Sequence, residues 1–185
     1  IRIQTLNETN PQAVAYFGRR YRAAGKGNYD IYVVFVERAL QLLNPAGALG
    51  YILPNKFLKT EYGGALRQLL SDSRSVQEIV DFGHHQVFDA TTYTCVLVLN
   101  KQPQSSFYFK SVEASTESLF ASQSMTLPIQ ILDNEQWSFE DAEGSALLRR
   151  IQQTGVSLID LPTAFSRGSS SGADDVFILD QNTLD

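Results

Sequence analysis

"YDIYVVFVERALQLLNPAGALGYILPN" (residues 29–55) decides the fold of this chain. Its first half carries apolar residues at helical spacing, among them Phe35 and Leu42, and predicts an amphipathic helix with a wide buried face. Pro45 and Gly47 end that helix. The nearly all-apolar ALGYILPN that follows predicts a short strand of the kind that is buried on both faces of a parallel sheet.

The same alternation continues downstream. EYGGALRQLLSD predicts a second helix, and SVQEIVDF and TCVLVLN predict two more strands, which is an α/β order. An open doubly wound sheet usually has more than three strands, so we expect the others upstream of Ile1. Residues 1–28 are predicted to be irregular. FYFKSV and SMTLPIQIL predict further strands, and AEGSALLRRIQQTG predicts an amphipathic helix.

These changes divide the chain into three parts. Residues 1–103 hold the helix–strand alternation, residues 104–140 form a β-rich connecting segment, and residues 141–185 begin a second domain. The chain opens with IRIQ, without a methionine, and stops just after the strand-like DVFIL. We therefore expect it to be a piece of a longer protein.

Composition excludes several classes of protein. The 185 residues are 43% apolar and 19% charged with a net charge of −5, which argues against a purely electrostatic nucleic-acid binder but allows a local basic face. No apolar run could span a membrane, so no membrane partner is expected. The single cysteine, Cys95, favours a reducing cytoplasm. Together with the adjacent His84 and His85 it offers no metal-ligand spacing, so no metal is expected.

One loop has an unusual composition for a connection between strands. HHQVFDATTYT places Phe88 among polar and small residues just before an apolar strand. A strand that only fills a core needs no such approach. The chain lacks the G-x-S-x-G elbow, the phosphate-binding loop and the G-x-G-x-x-G fingerprint, so those chemistries are excluded within it.

An ordered series of motifs specifies more than any one of them. NYDIY is followed by LLNPAGALGYILPNKFL, LRQLL, IVDFG and VFDATTYT. In this order the chain resembles the gamma-class adenine-N6 DNA methyltransferases, which include TaqI-like enzymes and the methyltransferase halves of Eco57I-type restriction-modification proteins. The resemblance covers residues 1–103. FSRGSSSGADDVFIL resembles the opening of the TaqI-like target-recognition domain.

The resemblance implies a fold and an activity. The fold is the C-terminal part of a Rossmann-like methyltransferase sheet, followed by the start of a mixed α/β recognition domain. The activity is transfer of a methyl group from S-adenosyl-L-methionine to N6 of a flipped-out adenine in double-stranded DNA, within a restriction-modification system and without a metal. A nuclease domain in the same parent chain is compatible with it. The catalytic Asn-Pro-Pro-Tyr motif is expected just upstream of Ile1, so this chain alone is expected to be inactive.

The same resemblance implies site residues. Phe35 matches the position that packs on the adenine ring of the cofactor, although an aromatic on a helix face is otherwise usually a core residue. Asp30 at the helix start and Pro54 at the carboxyl end of a strand, where open α/β sheets bind ligands, complete the cofactor set. Asn55 and Lys56 either line that cleft or form a simple turn.

Base-binding and phosphate-binding residues follow in the same way. Phe88 matches the aromatic that contacts the extruded adenine, and Thr91 and Tyr93 either contact that nucleotide or merely favour a strand start. GRRYRAAGKGN predicts a basic loop whose cations either contact DNA phosphates or form a solvated surface. Those cations are Arg19, Arg20, Arg22 and Lys26.

Two other functions stay open at this point. One is a methyltransferase that acts on a planar nitrogen of RNA or of a protein side chain, which would need no recognition domain downstream. The other is a non-catalytic α/β binding module, whose parent would lack the Asn-Pro-Pro-Tyr motif before Ile1.

Overall fold

A computed structural model describes residues 2–25, 28–89, 92–112 and 121–139, together with a few positions between 147 and 162. The chain divides into two compact units, Ile1–Phe139 and Glu140–Asp185. In the second unit, Leu147, Arg150 and Ile151 are helical, and the rest of the predicted helix and the FSRGSSSGADDVFIL segment lie mostly or wholly outside the described residues. No helix within the described residues is both long and apolar enough to cross a bilayer.

The first unit begins with two helices where the sequence predicted irregular structure. Helix α1 spans Ile3–Thr9 and α2 spans Pro11–Arg20, followed by a 3₁₀ turn at Arg22–Ala24. The prediction was wrong for these residues. Instead, the Asn10 side chain accepts a hydrogen bond from the Ala13 amide (3.1 Å), and Pro11 occupies the first turn, where its missing N–H costs nothing.

Helix α3, Tyr32–Leu42, and helix α4, Gly64–Ser73, confirm the two predicted helices. The predicted buried face of α3 is wrong at Phe35 and Leu42, however, because these residues are 56% and 65% exposed. Its buried apolar residues are Val33, Val34, Val36 and Leu40. Eight of the eleven residues of this helix are apolar or aromatic, so spacing alone did not distinguish the face that packs in the core.

Five strands form one sheet in the order β1-β3-β2-β4-β5. Strand β3 is antiparallel to both β1 and β2, β4 is parallel to β2, and β5 is antiparallel to β4. The α/β class is therefore confirmed, and two strands of the sheet come from downstream. The bounds are Ala48–Pro54 (β1), Val76–Gln86 (β2), Tyr93–Asn100 (β3), Ser106–Ser111 (β4) and Met125–Pro128 (β5).

Strand β1 is not the doubly buried parallel strand that its composition predicted. It lies at the edge of the described sheet, antiparallel to β3, and among its residues only Leu53 is buried. An apolar run signals burial only where both faces are covered, and here Tyr51 and Ile52 are 37% and 48% exposed.

The core lies between one face of the sheet and the helices. The Cys95 thiol is buried there, and burial raises its pKa, with a smaller contribution from the Asp81 carboxylate. Large side chains that are fully buried in this core are Phe57, Leu66, Leu70, Ile79, Leu97, Leu99 and Phe107.

Candidate functional site

Three strand ends meet at one edge of the sheet. Strands β1 and β2 run in the same direction because both are antiparallel to β3, so their carboxyl ends lie beside the start of β3. Pro54 pairs with Thr94, whereas β2 departs from regular pairing after Asp81. This edge is where open α/β sheets bind ligands.

The departure of β2 is a large bulge. Asp81 pairs with Cys95 and Gln86 with Tyr93, so that residues 82–85 stand opposite Thr94 alone. Gly83 lies in this bulge with φ of +55°, a conformation that glycine adopts far more readily than other residues. After the bulge, β2 pairs again at Gln86 with Tyr93, and Phe88 follows two residues later.

Hydrogen bonds join β1 to this bulge. Asn55, the residue after β1, donates from Nδ2 to Asp81 Oδ1 (2.8 Å) and to the Gly83 carbonyl oxygen (3.1 Å). Asp81 Oδ1 also accepts from the Gly83 amide (3.0 Å). We call Asn55, Asp81 and Gly83 the edge clasp. Asn55 therefore forms more than the simple turn that the sequence left open.

Residues 84–89 follow the clasp, and we call them the Phe88 segment. Exposed rings lie in this segment and at Tyr93, the first residue of β3. Phe88 and Tyr93 are 49% and 42% exposed, and the ring of Tyr93 meets that of His84 edge-to-face at 5.1 Å. Thr91 lies outside the described residues. The structure thus brings Phe88 and Tyr93 to the same edge as Pro54, with the Phe88 ring outside the core.

A polar hollow of about 220 Å³ lies beside Asp30, Lys56 and Tyr62 and is also lined by Arg2. Arg2 and Asp30 form an isolated antiparallel bridge, which holds the start of the chain against the hollow. Tyr62 also lines a more open depression of about 700 Å³. The hollow thus presents an ammonium, a carboxylate and a phenol to any bound group.

The Tyr62 hydroxyl lies 3.4 Å from that of Tyr32, the first residue of α3. Burial raises the pKa of Tyr32, and the hydrogen bond with Tyr62 adds to the shift, so the Tyr32 phenol stays neutral. Phe35 stands one turn further along α3 with an exposed ring, so it is not a core residue of this chain.

The prediction that Arg19, Arg20 and Arg22 lie in a loop is wrong. Arg19 and Arg20 occupy the last turn of α2 and are exposed, and Arg22 lies in the 3₁₀ turn. The Arg22 guanidinium donates to Asp72 Oδ2 (2.6 Å) and, as the main cause, lowers the pKa of that carboxyl. The charge of Arg22 is therefore partly compensated, and Lys26 lies outside the described residues.

Comparison with known protein families gives this edge of the sheet a context. The model of the Eco57I restriction-modification methylase family matches residues 1–88, which include all three members of the edge clasp. The matched segment, residues 1–88, belongs to this family. The resemblance inferred from the motif order is thereby confirmed.

Two curated relatives extend the match beyond residue 88. The chain is 37% identical over 140 residues, 73% of its length, to the type II restriction enzyme and methyltransferase RM.Eco57I of Escherichia coli. It is 29% identical over 188 aligned positions, 89% of its length, to the type II methyltransferase M.XhoI of Xanthomonas vasicola. The chain spans 14% and 34% of the lengths of these two relatives.

A solved structure shares the fold. The type IIG restriction endonuclease BpuSI superimposes with a TM-score of 0.55 over 81% of this chain and 20% of that one, at 12% sequence identity. The likeness supports the α/β fold. Within the described residues, no group of three or more His, Cys, Asp or Glu side chains could hold a metal ion.

Sequence reasoning missed the edge clasp. Asp81 entered the sequence analysis only as part of the predicted strand and the IVDFG motif. An aspartate two residues before a glycine is nevertheless a usual pattern for a side chain that accepts a hydrogen bond from the backbone two residues on. It also missed Arg67, which is 3% exposed and donates to the carbonyl oxygens of Phe57 (2.5 Å), Thr60 (2.8 Å) and Asn134 (3.0 Å). Nothing in the sequence around Arg67 distinguishes it from a surface cation.

Proposed function

We propose that this chain supplies the base-receiving part of a DNA methyltransferase that transfers a methyl group from S-adenosyl-L-methionine to N6 of an adenine. The observation that carries the proposal is the exposed ring of Phe88, which stands beyond the sheet edge where β1, β2 and β3 meet. The names of the relatives support methyl transfer, and the notion of an extruded adenine follows from the family resemblance.

Base extrusion gives the Phe88 ring a physical task. An exocyclic amino group inside a duplex cannot be reached while the base is stacked and paired, and extrusion costs a few kcal/mol. Stacking on an aromatic face returns about 1–3 kcal/mol per base. Phe88 offers such a face without a polar group that would compete for the adenine edge. We propose that Tyr93 adds a second ring and that Thr91 donates to the nucleotide.

The cofactor would use a different part of this chain. S-adenosyl-L-methionine supplies a methyl group on a sulfonium centre. The exposed Phe35 ring fits the adenine of that cofactor, and the Asp30 carboxylate fits its hydroxyl or amino groups. The hollow beside Asp30 is about 220 Å³, below the 300–1,000 Å³ usual for whole cofactor sites. We therefore propose that Phe35, Asp30 and Pro54 form only one wall of the site.

Double-stranded DNA is the proposed substrate. Arg19 and Arg20, exposed at the end of α2, would contact its phosphates and position the duplex without reading sequence. Arg22 would have to give up its bond to Asp72 in order to do the same. The proposed phosphate contact of Lys26 rests on the sequence alone.

Replacing Phe88 with alanine in the full-length protein tests the base-receiving role. We expect stabilisation of the extruded base to fall by about 1–3 kcal/mol, because the stacking face is lost. Fluorescence of 2-aminopurine at the target position measures this loss, and cofactor affinity should not change. Phe88→Tyr keeps a ring and should keep most of the signal. An unchanged signal in Phe88→Ala would contradict the proposal.

Replacing Phe35 with alanine should have the converse effect. We expect the cofactor dissociation constant to rise about fivefold or more, because the ring contact of roughly 1 kcal/mol is lost, while 2-aminopurine fluorescence persists. Calorimetric titration with S-adenosyl-L-methionine measures this. Leu42→Ala, a second exposed apolar position on the same helix, is the matched control. Equal behaviour of the Phe35 and Phe88 variants would overturn the separate assignments.

The full-length protein also separates the two other candidate functions. Methyl transfer to RNA or to protein, with none to a DNA duplex, would replace the DNA assignment. Absence of transfer to any of the three would favour a binding module.

A further inference from the structure

We propose that Asn55 and Asp81 are positioning residues for the base-contact step, because together they set the direction in which the chain leaves the sheet toward Phe88. The inference rests on the proposed function, since it concerns the task given there to Phe88. It adds a role for two side chains that need not touch the base or the cofactor.

The clasp joins strands that are not neighbours. Asn55 follows β1 and Asp81 belongs to β2, and β3 lies between these strands. Neighbouring strands are about 4.8 Å apart, so β1 and β2 are separated by roughly twice that distance. One amide nitrogen of Asn55 nevertheless reaches both Asp81 Oδ1 and the Gly83 carbonyl oxygen. The clasp thus spans the start of β3.

The bulge interrupts the backbone pairing of β2 with β3, although Phe82 within it is buried against Val80 and Val112. Residues 82–85 stand opposite the single residue Thr94, so the regular ladder is interrupted beside β3. Thr94 is 3% exposed, and its hydroxyl has no hydrogen-bond partner among the described residues. Its side chain therefore does not hold the bulge by a hydrogen bond. Asn55 and Asp81 supply the side-chain hydrogen bonds that do.

Asp81 is itself held firmly. Its carbonyl oxygen accepts from the Val112 amide (3.0 Å), and its own pairing with Cys95 anchors it to β3. Its carboxylate accepts hydrogen bonds from the Gly83 backbone amide and from the Asn55 side-chain amide. A fixed residue thus holds the bulge at Gly83, after which β2 pairs once more, at Gln86 with Tyr93, before the chain reaches Phe88.

The clasp is separate from the packing that stabilises the sheet. Asn55 and Asp81 are half-buried at the sheet edge, whereas Ile79 and Leu97 beneath them are fully buried. Loss of the clasp should therefore loosen residues 84–89 and leave the core strands intact. A residue with only a general structural role would instead affect cofactor binding and base extrusion alike.

Asn55→Ala in the full-length protein tests the inference. We expect the 2-aminopurine signal of extrusion to fall about fivefold to tenfold, which corresponds to the net worth of one or two hydrogen bonds. The cofactor dissociation constant should stay within about twofold, since Phe35 is untouched. Asp81→Asn is the matched control, because its amide oxygen can still accept from both donors, and it should retain most of the signal.

A double variant separates positioning from an independent effect. If Asn55 acts through Phe88, Asn55→Ala should cause little further loss in a Phe88→Ala background, because coupled residues are not additive. If the losses of the two single variants instead multiply in the double variant, the positioning role of Asn55 is wrong, and the role of Phe88 is unaffected.

Amide hydrogen exchange tests the clasp without relying on the role of Phe88. In Asn55→Ala, amides of residues 84–89 should exchange faster, and those of residues 95–99 should not change. Unchanged exchange in residues 84–89 would overturn the positioning role. If residues 84–89 exchange faster in Asn55→Ala but extrusion is normal in Phe88→Ala, the proposed function of Phe88 is wrong. The role of the clasp in ordering residues 84–89 would still be supported.

Discussion

Gly63→Ala is expected to lower the free energy of unfolding by about 3 kcal/mol or more, because a new methyl group would collide with backbone. A Cβ at this position would lie 2.6 Å from the Phe57 Cα and 2.8 Å from Arg67 Nη1, and closer still to the Phe57 carbonyl oxygen. Phe57 belongs to the 3₁₀ helix Asn55–Leu58 that follows β1. The substitution would therefore displace the segment that begins with Asn55.

Urea unfolding followed by the fluorescence of Trp137, the single tryptophan, measures this effect. Trp137 is buried, and its ring packs edge-to-face on that of Phe57 at 6.2 Å, so it reports on the affected region. Gly64→Ala is the control, because a Cβ there would meet atoms only at 3.6 and 3.7 Å. That residue is already helical, so alanine should be neutral or stabilising by up to about 1 kcal/mol. Equal stability of the two variants would contradict the steric argument.

Arg67→Met is expected to cost about 3 kcal/mol or more, because it removes the buried guanidinium that donates to the carbonyl oxygens of Phe57, Thr60 and Asn134. The Thr60 carbonyl oxygen keeps its second donor, the Gly63 amide (3.1 Å). Burial lowers the pKa of Arg67, and the Asp133 and Glu135 carboxylates oppose that shift, so the guanidinium remains charged. Its hydrogen bonds join the 3₁₀ helix after β1 to the segment that contains Asn134. The same urea titration measures the loss.

Arg67→Lys should show an intermediate loss, since one ammonium cannot reproduce the planar fork that reaches all three carbonyl oxygens. Arg22→Met provides the contrast. It breaks an ion pair whose side chains are 62% and 44% exposed, and such pairs contribute about 0–1 kcal/mol. An effect of Arg67→Met no larger than that of Arg22→Met would show that water replaces the guanidinium at the three carbonyl oxygens.

Local signals predicted the elements of this fold well wherever apolar runs were bounded by breakers. The strand at TCVLVLN and the helix at GALRQLLSDS follow from such patterns. Burial was harder to predict, because it depends on what covers each face. Phe35 and Tyr51 are both exposed although their neighbours in sequence are apolar.

The candidate site was only partly predictable. The exposed Phe88 was singled out by its polar neighbours in the loop, and family resemblance suggested its role. The bond between Asn55 and Asp81 joins residues 26 positions apart that meet because β3 inserts between β1 and β2. No local pattern contains that insertion, so the clasp was visible only in three dimensions.

The insertion of β3 has a consequence for synthesis of the protein. Pro54 and its partner Thr94 are 40 residues apart, since 94 − 54 = 40, and β3 is the only partner of β1 among the described residues. Translation at about 5–20 residues per second therefore separates the synthesis of Pro54 from that of Thr94 by roughly two to eight seconds. Strands β2 and β3, which are close in sequence, can form their hairpin within microseconds. The nascent chain thus forms the β2–β3 hairpin that carries Phe88 first, and β1 docks onto this hairpin afterwards.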